Sequence, residues 1–177
     1  MLRALHASIV REARDSWRLC LGLVVGFGLL ALALGSSRHA LPTLAFGAAS
    51  VPVFAVAWLP ASVVDDCASG LVRLIGTQPQ ISGAYALLRV ASVSVLLLAL
   101  LAPTLVVLGF ASGEAQEIPR ALVTAIFSTL WSASAAVLLG TRSRSPAAAS
   151  AVWIVLALAN LPAILRVWTG LDMHDSL

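Results

Sequence analysis

The side chains that could take part in catalysis do not occur in the groupings that catalysis needs. Asp65 and Asp66 are the only adjacent acidic residues, and no second acidic motif is present to complete a metal site. His6, His39 and His174 are widely separated and form no ligand set. No histidine is placed to activate a serine, and no Walker A motif or glycine-rich phosphate loop occurs. We therefore expect no catalytic residue, no metal site and no cofactor bound by this chain.

The composition is that of an integral membrane protein. Of the 177 residues, 60% are hydrophobic and 11% are charged, with a mean hydropathy of +0.98. A soluble domain is about one quarter charged. Cys20 and Cys67 are far apart and outside any CxxC pair, so we interpret them as small apolar residues. No basic run is interleaved with aromatic residues, which argues against nucleic-acid binding.

The apolar stretches predict an all-α fold, a single polytopic helical bundle over residues 1–177 with about five transmembrane helices. An amphipathic helix over residues 1–18 is predicted to lie in the membrane interface, the alternative being a simple positive flank of the first span. Residues 35–42 are predicted to be a tight turn. The predicted spans cover residues 19–34, 43–64, 82–110, 119–140 and 147–165.

Prolines within two of these spans predict local distortions. Pro52 and Pro60 lie in the second span, and each should kink the helix and free a carbonyl that neighbouring helices must satisfy. Pro103 lies deep in the long third span and predicts a kink, or a division of that span into two half-helices.

A short, half-polar helix is predicted between the second and third spans, over residues 65–78. Asp65 or Asp66 is a suitable N-cap, and Gly76 followed by Pro79 is a suitable end. The helix is too short and too polar to cross the bilayer. Arg89, just inside the third span, is expected to reach back to the interface by snorkelling.

The fourth and fifth spans carry polar residues that allow two interpretations. Small hydroxyl side chains favour helix packing, but the same residues could form the polar wall of a substrate path. The candidates for such a translocation path are Ser128, Thr129, Ser132 and Asn160.

The arginines predict which side of the membrane each segment occupies. With the N-terminus inside, eight arginines fall on inner segments and three on outer ones, and the positive-inside rule favours that orientation. Residues 65–78 are then cytoplasmic. Because the spans contain no Asp or Glu at mid-depth, a self-contained ion-coupled carrier is disfavoured, and energy for transport would come from another chain.

The stretch from 65 to 89 resembles the first cytoplasmic loop of ABC transporter permeases of the type-2 exporter class, and the layout of residues 1–165 is similar to theirs. The small haem exporter B proteins share this layout. That family has six spans, whereas we count about five here. The residues that match the family pattern, in order and spacing, are Asp65, Asp66, Ser69, Gly70, Leu71, Leu74, Pro79, Ser82, Tyr85, Leu88 and Arg89.

The resemblance implies a function and a set of partners. The 65–78 helix would be a coupling helix that docks on a separate cytosolic ABC ATPase, which binds the ATP. A second permease copy, or a homologous permease, would complete the export pathway in the cell (inner) membrane. The ATPase contact would be formed by Asp65, Asp66, Ser69, Gly70, Arg73 and Leu74, with Tyr85 and Arg89 as interface anchors.

Two other classes of function stay open. A non-transporting membrane scaffold or assembly factor needs only packed spans and a cytoplasmic contact helix. A membrane enzyme is disfavoured by the lack of a catalytic constellation.

Overall fold

The computed structural model describes residues 40–68, 79–111, 113 and 115–169, together with isolated residues between positions 10 and 28. Side chains are described at position 44 and over 47–68, 83–111, 113 and 115–159. The isolated residues are Val10, Arg14, Trp17, Arg18, Leu21, Gly22, Val24, Val25, Gly26 and Gly28, all of them α-helical. Most of the predicted interfacial helix and first span therefore lies outside the described residues.

The described part of the chain is helical and contains no strand. The helices are α1 (Ala40–Ala55), α2 (Leu59–Ala68), α3 (Pro79–Ala111), α4 (Ile118–Arg142) and α5 (Pro146–Thr169), with a 3₁₀ turn at Ala115–Glu117.

Three helical stretches of the described residues are long and apolar enough to cross a membrane: Gly47–Ala68, Gly83–Ala111 and Ala115–Arg142. The apolar stretch Pro146–Ala159 of α5 is shorter. Several large apolar side chains on α4 are exposed, including Phe127 and Trp131, at 70% and 65%. Such a surface is costly in water but is the expected exterior of a bundle in lipid. The described part of the chain is therefore all-helical, with three stretches that could span a membrane.

Successive spans run in alternating directions when α1 and α2 are taken as one span. Tyr85, near the start of α3, contacts Asp66, near the end of α2. Gly140, near the end of α4, lies against Pro60 and Val63 of α2. Helix α2, the first turns of α3 and the end of α4 thus lie towards one end of the bundle. Residues 143–145 connect α4 to α5 at this end.

The core is divided into two layers along the bundle. One layer joins Leu59 and Val63 of α2 to Val93 and Leu97 of α3 and to small residues of α4. The other joins Leu44 and Ala48 of α1 to Leu101 and Leu105 of α3 and to Ala125 of α4. Small residues on α4 let the helices approach closely. At Gly140 an added Cβ would lie 2.6 Å from the Val63 Cβ and 2.8 Å from the Pro60 carbonyl oxygen.

The second predicted span is interrupted. Between α1 and α2, residues 56–58 form a turn. Pro60 has no N–H to donate to the Val56 carbonyl, and its ring would clash with that carbonyl in a continuous helix. The Val56 oxygen instead accepts from the Leu59 N–H at 2.9 Å, and the Phe54 oxygen accepts from the Ala57 N–H at 3.1 Å. These tighter i→i−3 bonds produce the interruption that Pro60 predicts, whereas α1 continues through Pro52 without a break.

Three other predictions need correction. The predicted turn over 35–42 is too long at its end, because α1 already begins at Ala40. Pro42 is tolerated there because it lies in the first turn of α1. Pro103 does not divide the third span, since α3 is one helix from Pro79 to Ala111. Helix α5 ends at Thr169, four residues beyond the predicted 147–165.

Candidate functional site

A buried cluster of polar side chains joins the end of α2 to the start of α3. The Arg89 guanidinium lies 3.4 Å from the Asp66 carboxylate, and the two side chains are only 4% and 12% exposed. The same Arg89 nitrogen donates to the Ser62 hydroxyl. The Tyr85 hydroxyl donates to Asp66 Oδ2 at 2.5 Å. We call Ser62, Asp66, Tyr85 and Arg89 the clamp.

Helical spacing explains why these four residues meet. Ser62 and Asp66 are four residues apart on α2, and Tyr85 and Arg89 are four residues apart on α3. Residues at i and i+4 lie one above the other on the same face of a helix. Each helix therefore presents a pair of polar groups, and the antiparallel arrangement places the two pairs opposite each other.

The electrostatics of the clamp follow from its burial. An unpaired charge in an apolar interior is very costly, whereas pairing with an opposite charge and hydrogen bonding offset much of that cost. Asp66 receives the guanidinium and the phenol hydroxyl, and Arg89 is shared between Asp66 and Ser62. An ionisable pair within membrane-spanning helices is also a functional-site hypothesis by default. The clamp ties together the two helix ends that border residues 69–78.

The predicted N-cap at Asp65 or Asp66 is wrong. An N-cap residue lies outside the helical conformation, but both aspartates are within α2, which continues to Ala68. Asp65 is exposed, and the carboxylate of Asp66 is engaged by α3. The other predicted ATPase-contact residues, Ser69, Gly70, Arg73 and Leu74, lie outside the described residues.

The predicted role of Arg89 as an anchor at the membrane interface also needs correction. Its side chain is buried and turned towards Asp66 and Ser62, which supply the guanidinium with an ion pair and a hydrogen bond inside the protein. Tyr85 is partly buried beside it. Both residues therefore anchor α3 to another helix of the same chain.

The structure brings some of the predicted path residues into the packing core. Ser128 donates to the Ala49 carbonyl oxygen of α1 at 2.6 Å, so it connects two helices. Thr129 and Ser132 are fully buried, and their hydroxyls have no hydrogen-bond partner among the described residues. The side chain of Asn160 lies outside the described part of the chain.

Neither the role of Ser62 nor the pairing of Asp66 with Arg89 was predicted from the sequence. A detectable signal was present: the helices on either side of residues 69–78 each carry two polar residues at i, i+4 spacing within otherwise apolar sequence. Such pairs are expected to face each other when the connection is short.

Comparison with known proteins adds no further constraint. A scan against models of protein families, a search of curated proteins and a search of solved structures each found no match to this chain.

Proposed function

We propose that this chain is the membrane-spanning permease subunit of an ATP-driven exporter, and that residues 69–78 contact a separate cytosolic ATPase. The observation that carries the proposal is the clamp. An ATPase that moves the 69–78 segment must pass that movement to the spans, and the clamp joins the two helices that precede and follow the segment.

The position of the clamp suits this role. Asp66 lies two residues before the end of α2, whereas Arg89 lies several turns into α3. A displacement of the segment therefore acts on both helices together. Two helices joined only by an unanchored loop would absorb the same displacement by bending at the loop.

Charge supports placing this end of the bundle in the cytoplasm. Arg142 and Arg144 lie beside the end of α4 and are exposed, and Arg73 belongs to the 69–78 segment. At the opposite end Arg120 is close to Glu117, with 3.9 Å between the guanidinium and the carboxylate. An excess of arginine on one side is the signature of the cytoplasmic side.

The test is co-purification of an ATPase with the tagged full-length chain, extracted from its native membrane in mild detergent. Leu74→Glu should abolish co-purification, or uncouple ATP hydrolysis from export, because a carboxylate replaces an apolar contact. Membrane insertion should be unchanged. A matched control is Thr141→Glu, which adds the same charge at an exposed position at the same end of the bundle.

The outcomes separate the proposal from its alternative. Loss of the ATPase in Leu74→Glu and its retention in Thr141→Glu support the permease function. Co-purification and transport that are unchanged in Leu74→Glu exclude docking through this segment. Recovery of partners that include no ATPase favours the scaffold or assembly-factor function instead.

A further inference from the structure

The interruption between α1 and α2 leaves two backbone carbonyls that helical bonding does not serve. The Ala57 N–H bonds to the Phe54 oxygen, so the Val53 oxygen loses its usual i+4 donor. The Ala57 oxygen also lacks its usual i+4 donor, because the first i→i−4 bond of α2 runs from the Ser62 N–H to the Trp58 oxygen. In a membrane, carbonyls of this kind need donors from elsewhere in the protein.

Helix α5 supplies both donors. The indole N–H of Trp153 donates to the Val53 oxygen at 2.9 Å, and Trp153 is only 4% exposed. The hydroxyl of Ser150 donates to the Ala57 oxygen at 3.1 Å. Ser150 and Trp153 are three residues apart, so they lie on one face of α5. One helix face thus holds the backbone on both sides of the interruption.

Helix α4 packs against both halves of the interrupted span, but side-chain hydrogen bonds also reach each half from a different helix. Ser128 of α4 binds α1 at the Ala49 oxygen. The clamp binds α2 to α3 through Asp66 and Arg89. Residues 56–58 form a short stretch of 3₁₀-type hydrogen bonds, and a stretch of this kind within a helical span often marks a hinge.

We propose that residues 56–58 form a hinge between α1 and α2, and that α5 is a strap that sets its angle through Trp153 and Ser150. With both bonds in place, the bent form is the stable one. Side-chain hydrogen bonds between membrane helices each shift an equilibrium by roughly 3- to 20-fold. Removal of both bonds should therefore allow a second hinge angle to become populated.

The experiment measures the distance between two spin labels by electron–electron double resonance on the full chain in lipid nanodiscs. Cys20 and Cys67 are first replaced by serine. The labels are placed at Ala68→Cys, at the exposed end of α2, and at Val123→Cys, on the exposed surface of α4. We expect one narrow distance distribution in this parent.

The strap is removed by Ser150→Ala combined with Trp153→Phe, and we expect a broadened distribution or a second distance. The matched control is Ser134→Ala combined with Trp131→Phe, which makes the same chemical changes at exposed positions of α4. A distribution that is unchanged in the strap variant, or equally changed in the control, overturns the proposal.

A second variant keeps the proposal testable if the strap variant does not fold. Pro60→Ala restores an N–H that can donate to the Val56 oxygen and removes the ring that blocks a continuous helix. We expect the hinge to straighten and the mean label distance to shift. An unchanged distance in Pro60→Ala also overturns the hinge.

Discussion

Replacement of Asp66 by alanine is expected to destabilise the folded bundle by about 3 kcal/mol, because it leaves the Arg89 guanidinium buried without its carboxylate. Arg89 is 4% exposed and Asp66 12%, so solvent does little to screen the loss. Arg89→Ala should cost a similar amount, since it strands the carboxylate. The double variant removes both charges, so its free energy of unfolding should be only slightly lower than that of the less stable single variant.

The magnitude to be measured is therefore a coupling energy. Because both side chains are largely buried, this coupling energy should lie in the upper part of the range of about 0.5–3 kcal/mol seen for residues in contact. We expect about 2 kcal/mol. Unfolding of the purified chain in mixed micelles, followed by circular dichroism at increasing SDS content, gives the free energy of unfolding for all four forms. Tyr85→Phe removes one hydrogen bond to the carboxylate and should cost about 1.5 kcal/mol.

An exposed ion pair in the same chain is the control for this cycle. Glu117 and Arg120 are 3.9 Å apart at i, i+3 spacing, and the Arg120 side chain is 86% exposed. Exposed pairs of this kind contribute about 0.2–1 kcal/mol at most. The clamp is refuted if the destabilisation of the double variant equals the sum of the Asp66→Ala and Arg89→Ala values within about 0.5 kcal/mol. It is also refuted if its coupling energy is no larger than that of the exposed pair.

Two further changes test the packing and continuity of the spans. Gly140→Ala should lower the free energy of unfolding by about 1–3 kcal/mol, because its Cβ would lie 2.6 Å from the Val63 Cβ, whereas Gly83→Ala has open space and should be neutral or stabilising. Equal effects of the two substitutions in the same unfolding assay would contradict the close approach of α4 and α2. Pro103→Ala should raise the free energy of unfolding without changing the helical circular dichroism signal, since α3 is continuous through this residue and gains a backbone donor. A loss of stability there would show that the proline ring contributes packing that the helix needs.

The same physical rule accounts for the two polar features of the bundle. Burial of a polar group without a partner is costly, and in lipid only protein groups can supply the partner. At residues 56–58 the groups are backbone carbonyls and the partners are side chains of α5. In the clamp the groups are charges, and the partners lie across the α2–α3 contact. Both features connect the interrupted span to its neighbours.

Hydropathy and proline positions alone predict much of the fold. The alternation of apolar stretches with short polar segments indicates a membrane helical bundle, and the structure contains three helices that fit it. The prediction that prolines in the second span would free carbonyls is met only indirectly. The Val56 carbonyl opposite Pro60 accepts locally from the Leu59 N–H, whereas the neighbouring helix α5 donates to the Val53 and Ala57 carbonyls. These features are local, since a proline lacks its N–H in any tertiary environment.

Partnership between helices is decided only by tertiary structure. From the sequence alone, Asp66 is a candidate N-cap and Arg89 is a candidate interfacial anchor. Both interpretations are reasonable for an isolated helix, where aspartate favours a helix start and arginine favours water. The fold overrides them because antiparallel packing of α2 and α3 brings the two charges within 3.4 Å in a buried setting. Pairing in such a setting outweighs either local preference, and the i, i+4 pattern on each helix marks its polar face without fixing which atoms that face meets.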